Sequence, residues 1–528
     1  MRSRIGTALL GLFVALAAAK GFTLEEATIA DIQAAMRAGE LSCRQLVQGY
    51  LKRIEAFDKR GPALNSLITI NPNALVRAQE LDRKFAAGGL TGPLHCIPVI
   101  VKDNFNTYDM PTSAGSQALA ESRPQKDAFQ IQKLRNAGAL ILAKANLSEF
   151  AVSGQETLSS RLPGYTKNPY AVDRVTAGSS GGTAAAIAAS FGAVGLGSDT
   201  ENSIRGPASH TSLVGLRPTM GLTSRAGIVP LDLDRDIGGP MARTVADAAA
   251  VLDVIAGPDP DDPVTESSRG RIPDGGYSKA IGSSDLQGTR IGVLRFTVET
   301  KTTDPGIVRL FERALADLKG RGATLIEAIS IPEAERSNPA SAALRKGESM
   351  VWSRCSPLKF QLRDYLASLG PDAPAHSLEE ILASRQFHPS IGAYLQRAAG
   401  VPRPPSDDPD CEPVREETRV LRGAMLRIFG ERRLDAIVYP SWSNPPRLIG
   451  DQNSPSGMNS GLIAPPAGLP AITVPMGYVD GALPAGLELL GAPWSEPMLL
   501  RIAASYEQVT RHRKSPGATP SLGPADSR

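Results

Sequence analysis

At 528 residues, with 42% hydrophobic and 21% charged side chains, the chain has the makeup of an ordinary globular protein and room for one large domain or several smaller ones. Its 57 Lys and Arg barely exceed its 54 Asp and Glu, and no basic stripe interleaves with aromatic residues, so nothing marks a nucleic-acid partner. The 51 glycines and 42 prolines are scattered, which argues against both a helical bundle and disorder.

At the N-terminus, Arg2 and Arg4 precede an apolar run from Ile5 that closes on Ala17-Ala18-Ala19. A basic start, an apolar stretch and small residues at its end predict a secretory signal peptide over 1–19. The run is short of the about 20 residues a membrane span needs. The expected mature protein is therefore periplasmic or secreted, with no membrane attachment after cleavage. Thr23-x-x-Glu26 and Ser42-x-x-Gln45 each read as a capping box opening an amphipathic helix. Ala74–Ala87 reads as a helix stopped by Gly88-Gly89. Ile97–Val101 is a short apolar strand that delivers Lys102 and Asp103, and Ala139–Ala143 is another such strand after the helix Phe129–Ala137. Gly182–Ser190 is a small-residue helix followed by the strand Ala193–Gly197. The alternation resumes with the helix Asp247–Ile255, the strand Thr289–Leu294, the helix Ile307–Lys319 and the strand Ala323–Glu327. It continues after an irregular, Pro-containing lobe at 335–415, with the helix Glu416–Phe429 and the strands Ala436–Tyr439 and Ala471–Pro475. This pattern is that of one α/β domain over 20–515, a mixed central β-sheet covered by helices on both faces. A disordered tail is expected at 516–528. The four cysteines carry no CxxC pair, so no metal is expected; Cys355 with Cys411 is the one pairing considered, the others being read as buried thiols.

The chemistry concentrates in two Gly/Ser-rich turns, Thr176-Ala-Gly-Ser-Ser-Gly-Gly-Thr183 and Gly197-Ser-Asp-Thr-Glu-Asn-Ser-Ile-Arg205. The first enters a helix, where unpaired N–H groups make an anion site; the second leaves a strand. Gly178-Ser-Ser-Gly-Gly182 also fits a G-x-S-x-G nucleophile elbow centred on Ser180. That motif needs a buried strand directly before the serine and a later histidine base. Lys167–Thr176, with Pro169, Asp173 and Arg174, does not read as that strand, and His210 is the best of the available histidines.

Taken with Ile97-Pro-Val-Ile-Val-Lys-Asp-Asn104, the turns resemble the signature of the amidase-signature family: a lysine after an apolar strand, a Gly-Ser-Ser-Gly-Gly turn, and a serine 24 residues after the first serine of that turn, as Ser203 follows Ser179. The likeness continues through Gly239–Pro260, Ala467–Pro475 and Leu487–Glu507. The resemblance implies the amidase-signature fold and an amidohydrolase without cofactor or metal. It implies Ser203 as nucleophile, Ser179, after a cis peptide from Gly178, as relay, and Lys102 as base, with Ser180 bonded to the lysine. The backbone N–H groups of Thr200, Glu201, Asn202 and Ser203 would form the oxyanion hole, braced by Asp199 and Arg205. Glu201-Asn202 departs from the Gly-Gly frequent in the family; either the two side chains narrow the pocket or Glu201 turns away into a hydrogen-bonded bracket. Phe360, Tyr365 and Trp352 of the lobe are candidate pocket residues, with core packing as their alternative. The expected partner is a small-molecule or peptide amide, and a homodimer is left open. Rival readings are an esterase or peptide C-terminal amidase on the same site, a glutamine amidotransferase subunit, which the signal peptide disfavours, and an exported binding protein with a dead site.

Overall fold

The computed structural model describes residues 22–282, 285–327, 329–336 and 355–523. The predicted signal peptide and Trp352 lie outside these residues.

Thirteen strands are present among them: β1 (Leu67–Ile70), β2 (Pro98–Lys102), β3 (Leu140–Ala145), β4 (Lys167–Asn168), β5 (Ala171–Val175), β6 (Val194–Asp199), β7 (Val214–Arg217), β8 (Ile237–Ala242), β9 (Arg290–Val293), β10 (Thr324–Ile326), β11 (Ala436–Pro440), β12 (Ala471–Val479) and β13 (Leu483–Leu490). Eleven form one mixed sheet in the order β1-β3-β2-β6-β8-β7-β12-β13-β11-β9-β10, flanked by helices. The α/β expectation holds. β2 lies parallel to both β3 and β6, so the C-terminal ends of β2 and β6 face the same edge of the sheet, and those ends carry Lys102 and Asp199. β2, β3 and β6 are buried along their whole length, as strands covered on both faces must be.

Helix ends follow local chemistry. Ser42 and Gln45 form the expected capping box of Cys43–Phe57. The preceding helix, Ile29–Arg37, is capped by Thr28 with Asp31 rather than by Thr23 with Glu26. Asp304 accepts from the N–H groups of Gly306 (2.6 Å) and Ile307 (3.3 Å) to start Pro305–Gly320, with Pro305 at the first helical position, where its missing N–H costs nothing.

Three expectations are corrected. The lobe at 335–415 is helical where it is described, with Leu358–Ser368, Leu378–Ser384 and Pro389–Ala399 packed into a hydrophobic cluster of their own with Phe150, Val229 and Leu231. Residues 516–523, assigned to a disordered tail, lie against the body: Thr519 is buried and its carbonyl accepts from Arg53 Nη2 at 2.9 Å. All four cysteines are bridged, Cys355 with Cys411 as considered, and Cys43 with Cys96. The second bridge ties the helix Cys43–Phe57 to the turn that feeds β2.

Candidate active site

Lys102 is the last residue of β2 and is fully buried. Its Nζ lies 2.7 Å from Ser179 Oγ, 2.8 Å from Ser198 Oγ and 3.2 Å from the Ser198 carbonyl. These contacts are hydroxyls and a carbonyl; among the described residues no carboxylate touches the amine. Burial brings its pKa from the ordinary 10.5 down to about 7, with the more distant Asp236 and Asp199 charges pulling the other way. A neutral amine has two N–H bonds and one lone pair. Two donors for Ser198 leave the lone pair facing the Ser179 hydroxyl.

Ser179 follows a cis peptide bond from Gly178, as the resemblance implies. The glycines of this turn are there for space. A Cβ on Gly178 would run into the Glu156 and Ser153 carbonyls and the Ser148 hydroxyl, and one on Gly182 into backbone of Asn146 and Ser66. The turn is not an anion site: the N–H of Ser180 donates to the Ser203 carbonyl (3.3 Å), that of Gly181 to Thr157 Oγ1 (3.1 Å) and that of Gly182 to the Asn146 carbonyl (3.2 Å). The first of these bonds holds the two serine turns against one another, bringing Ser179 and Ser203 onto neighbouring backbones.

The nucleophile-elbow alternative falls away. The strand before the turn, β5, lies outside the main sheet, where it pairs with β4 and bridges Leu448 through Arg174, and its residues up to Arg174 are exposed or half-buried. Ser180 is buried and its hydroxyl donates to the Ser198 carbonyl (3.2 Å). The bond to Lys102 expected of Ser180 is not among those of the described residues. Ser198 bonds the lysine, and Asn104 Nδ2 steadies the Ser198 hydroxyl from 2.9 Å. His210 is stacked on Trp442 with ring centroids 4.6 Å apart, and burial holds its pKa down to about 3, so it packs as a neutral ring.

Ser203 sits between β6 and the helix Arg205–His210. The backbone N–H groups of Thr200, Glu201, Asn202 and Ser203 have no hydrogen-bond partner among the described residues, whereas the next, that of Ile204, is taken by Asp199 Oδ2 (3.1 Å). The loop is fixed from beneath by buried charge. Asp199 meets Arg205 Nε at 3.1 Å and Arg217 Nη1 at 3.2 Å; against the cost of burial, the two guanidiniums hold its carboxyl below the usual range. Arg205 also pairs with Glu488 of β13, bonds the Ser460 carbonyl (2.7 Å) and holds the Glu201 carbonyl (2.8 Å). Glu488 in turn accepts from Tyr439 (3.1 Å) and Ser460 (2.6 Å). Thr200 donates to Asp236 (2.5 Å), whose other oxygen takes the N–H of Leu231 (2.8 Å) and Asp232 (3.0 Å). Buried charges are tolerated when paired or hydrogen-bonded: Asp199, Arg205, Arg217 and Glu488 are joined by ion pairs, while Asp236 is held by hydrogen bonds alone.

The two residues standing where glycines are frequent part company. Asn202 is buried, its amide wedged where a Cβ on Gly154 or on Gly206 would strike it. Glu201 is half-buried, and its carboxyl enters no hydrogen-bonded bracket among the described residues. Tyr365 donates to Asn106 (2.6 Å) and belongs to the lobe's packing rather than to a pocket wall. Sequence reasoning missed Ser198, Arg217, Asp236 and Glu488. Ser198 alone had a local signal, since it stands within the second serine turn.

Residues 45–500 match the amidase family. The chain is 35% identical to a probable amidase of Arabidopsis thaliana over 94% of this chain and 92% of that protein. It is likewise 35% identical to one of the subunits of the glutamyl-tRNA(Gln) amidotransferase of Symbiobacterium thermophilum, over 90% of this chain and 96% of that one. Among solved structures it is similar to the peptide amidase of Stenotrophomonas maltophilia, with 39% identity and a TM-score of 0.84 over 94% of this chain and all of the other.

Proposed function

The chain belongs to the amidase family and is an amidohydrolase, and from that premise we propose that it releases ammonia from C-terminally amidated peptides through Ser203, Ser179 and Lys102. Neutral Lys102 takes the Ser179 proton as Ser179 takes that of Ser203, and Ser203 Oγ attacks the amide carbonyl. The oxyanion is received by the unpaired N–H groups of the Thr200–Ser203 loop. The relay then returns its proton to the departing nitrogen, which an amide requires, and water releases the acyl group by the same path. The observation that carries this reading is the 2.7 Å approach of Lys102 Nζ to Ser179 Oγ in a site where no carboxylate among the described residues touches the amine. The peptide substrate is favoured by the similarity to the peptide amidase over 94% of this chain and all of the other.

The test is ammonia release from a peptide amide, with the matched methyl ester and free glutamine run alongside. Wild type should liberate ammonia from the peptide amide, and Ser203→Ala should lose all turnover and all labelling by a fluorophosphonate. Glutamine hydrolysis without peptide-amide hydrolysis would favour an amidotransferase component, and ester cleavage alone an esterase. Labelled but unreactive protein would overturn the amidase assignment of the site. The export reading draws support from the leader sequence and from bridges at all four cysteines, which persist in oxidising compartments. Mass spectrometry of the exported protein should find its N-terminus near Lys20.

A further inference from the structure

Of the four residues between Asp199 and Ile204, three are closed in: Thr200 is 3% exposed, Asn202 0% and Ser203 3%. The Thr200 hydroxyl is engaged by Asp236 and the Asn202 amide fills the slot at Gly154 and Gly206. Glu201 differs. Its backbone is held by Arg205 through the carbonyl, yet its half-buried carboxyl has neither a hydrogen-bond nor an ion-pair partner among the described residues. Its side chain lies over Gly461, where an added Cβ would stand 2.9 Å from Glu201 Cγ, 3.4 Å from Oε1 and 3.3 Å from Met458 Cε. The bare backbone at 461 is what leaves Glu201 room to lie there.

An acid in such a place is short of a counter-charge. Burial pushes its carboxyl up to about 7; the Arg235 and Arg205 charges oppose this without reaching ion-pair distance and that of Asp199 adds to it, and the Arg235 guanidinium stands 3.7 Å from Asp232. Glu201 is two residues from Ser203, a chain distance of at most ~7 Å between Cα atoms. For a primary carboxamide the leaving group is ammonia, too small to reach a neighbouring side chain once the carbonyl is seated. A substrate group in contact with Glu201 would therefore belong to the acyl part.

We propose that Glu201 is a specificity-determining residue that pairs with an ammonium or guanidinium group on the acyl portion of the amide. The inference rests on Ser203 being the nucleophile. It assigns the site to amides whose acyl residue is basic, in place of the uncharged residues that a Gly-Gly loop would admit equally.

The test is the ratio of kcat/KM for N-acetyl-lysinamide to that for N-acetyl-norleucinamide, two substrates alike in length and different in charge. A half-buried ion pair is worth about fivefold to tenfold in this ratio, so wild type should prefer the lysine amide by that factor. Glu201→Gln, which keeps the side chain's shape, should bring the ratio to within about twofold of unity. Glu201→Lys should invert it. A wild-type ratio near unity, or equal losses on both amides in Glu201→Gln with the ratio kept, overturns the proposal and leaves Glu201 a structural residue. Fluorophosphonate labelling of Ser203 in the same preparations separates the two readings: if wild type is not labelled there, it is the nucleophile assignment that has failed.

Discussion

Lys102 and Lys144 end apolar runs on adjacent parallel strands, with Val101 in register with Lys144 and Lys102 with Ala145. Both are fully buried, and burial lowers the pKa of both. Their surroundings then diverge. Lys144 Nζ lies 2.8 Å from Asp103 Oδ1, 2.9 Å from Thr112 Oγ1 and 3.0 Å from the Pro111 carbonyl. A carboxylate at that distance is worth several kcal/mol to an ammonium even at an effective dielectric of about 20. Lys102 has hydroxyls where Lys144 has Asp103. In the proposed mechanism the same side chain at the same depth is thus a structural cation on one strand and a proton acceptor on the next, and the difference between the two is contact with a single carboxylate.

Breaking the Lys102 side should have the largest effect. Lys102→Ala should lower kcat/KM for an amide by ~10³-fold or more, and Lys102→Arg should not restore it, because a guanidinium keeps its proton. In wild type, kcat/KM should rise about tenfold per pH unit below about 7 and flatten above it, as Lys102 loses its proton. A flat profile from about pH 5 to 9 with chemistry rate-limiting would remove Lys102 as the base. The stability counterpart has a definite sign. Unfolded, the lysine keeps its proton to about 10.5; folded, it sheds it near 7. The unfolded chain therefore binds more protons across that window, so this residue makes the fold more stable as pH rises through it. Lys102→Met should flatten that slope in pH-dependent denaturation.

Breaking the Lys144 side should read out as stability. Lys144→Met leaves Asp103 buried without its cation, a loss of about 3–5 kcal/mol in urea denaturation. Adding Asp103→Asn should recover part of it, since the orphaned charge is gone. The activity of the protein that remains folded should keep its limb near pH 7; a lost limb would mean that the two lysines are not separable. The smallest effect sharpens the contrast. Ser198→Ala removes one hydrogen bond from the Lys102 amine, about 1 kcal/mol, and should cost roughly fivefold in kcat/KM.

Much of this is legible in one dimension because strands buried on both faces are written as unbroken apolar runs, as in β2, β3 and β11. β8 and β13 are not legible in that way. β8 carries Gly238, Gly239 and Pro240, and β13 has Glu488 in an otherwise apolar stretch; its partner Arg205 lies far away in sequence, so the charge looks like a break. The lysine question is of the same kind. Ile141-Leu-Ala-Lys144 and Val99-Ile-Val-Lys102 are alike as strings, and only the family resemblance singles out the second. The choice between Ser180 and Ser198 as the lysine's neighbour depends on which way two adjacent turns face, which no spacing encodes.

The wedge formed by Asn202 between Gly154 and Gly206 has a consequence for how this protein can drift. A side chain gained at either glycine meets the asparagine amide, and a larger residue at 202 meets both glycines. In genetic terms these positions are linked: a smaller residue at 202 should relieve part of a lesion at Gly154 or Gly206, the remainder being the tighter contacts with Met458 and Trp442. Glu201, beside it, carries no such linkage to the two glycines, so selection can change the neighbour of Asn202 while the wedge stays as it is.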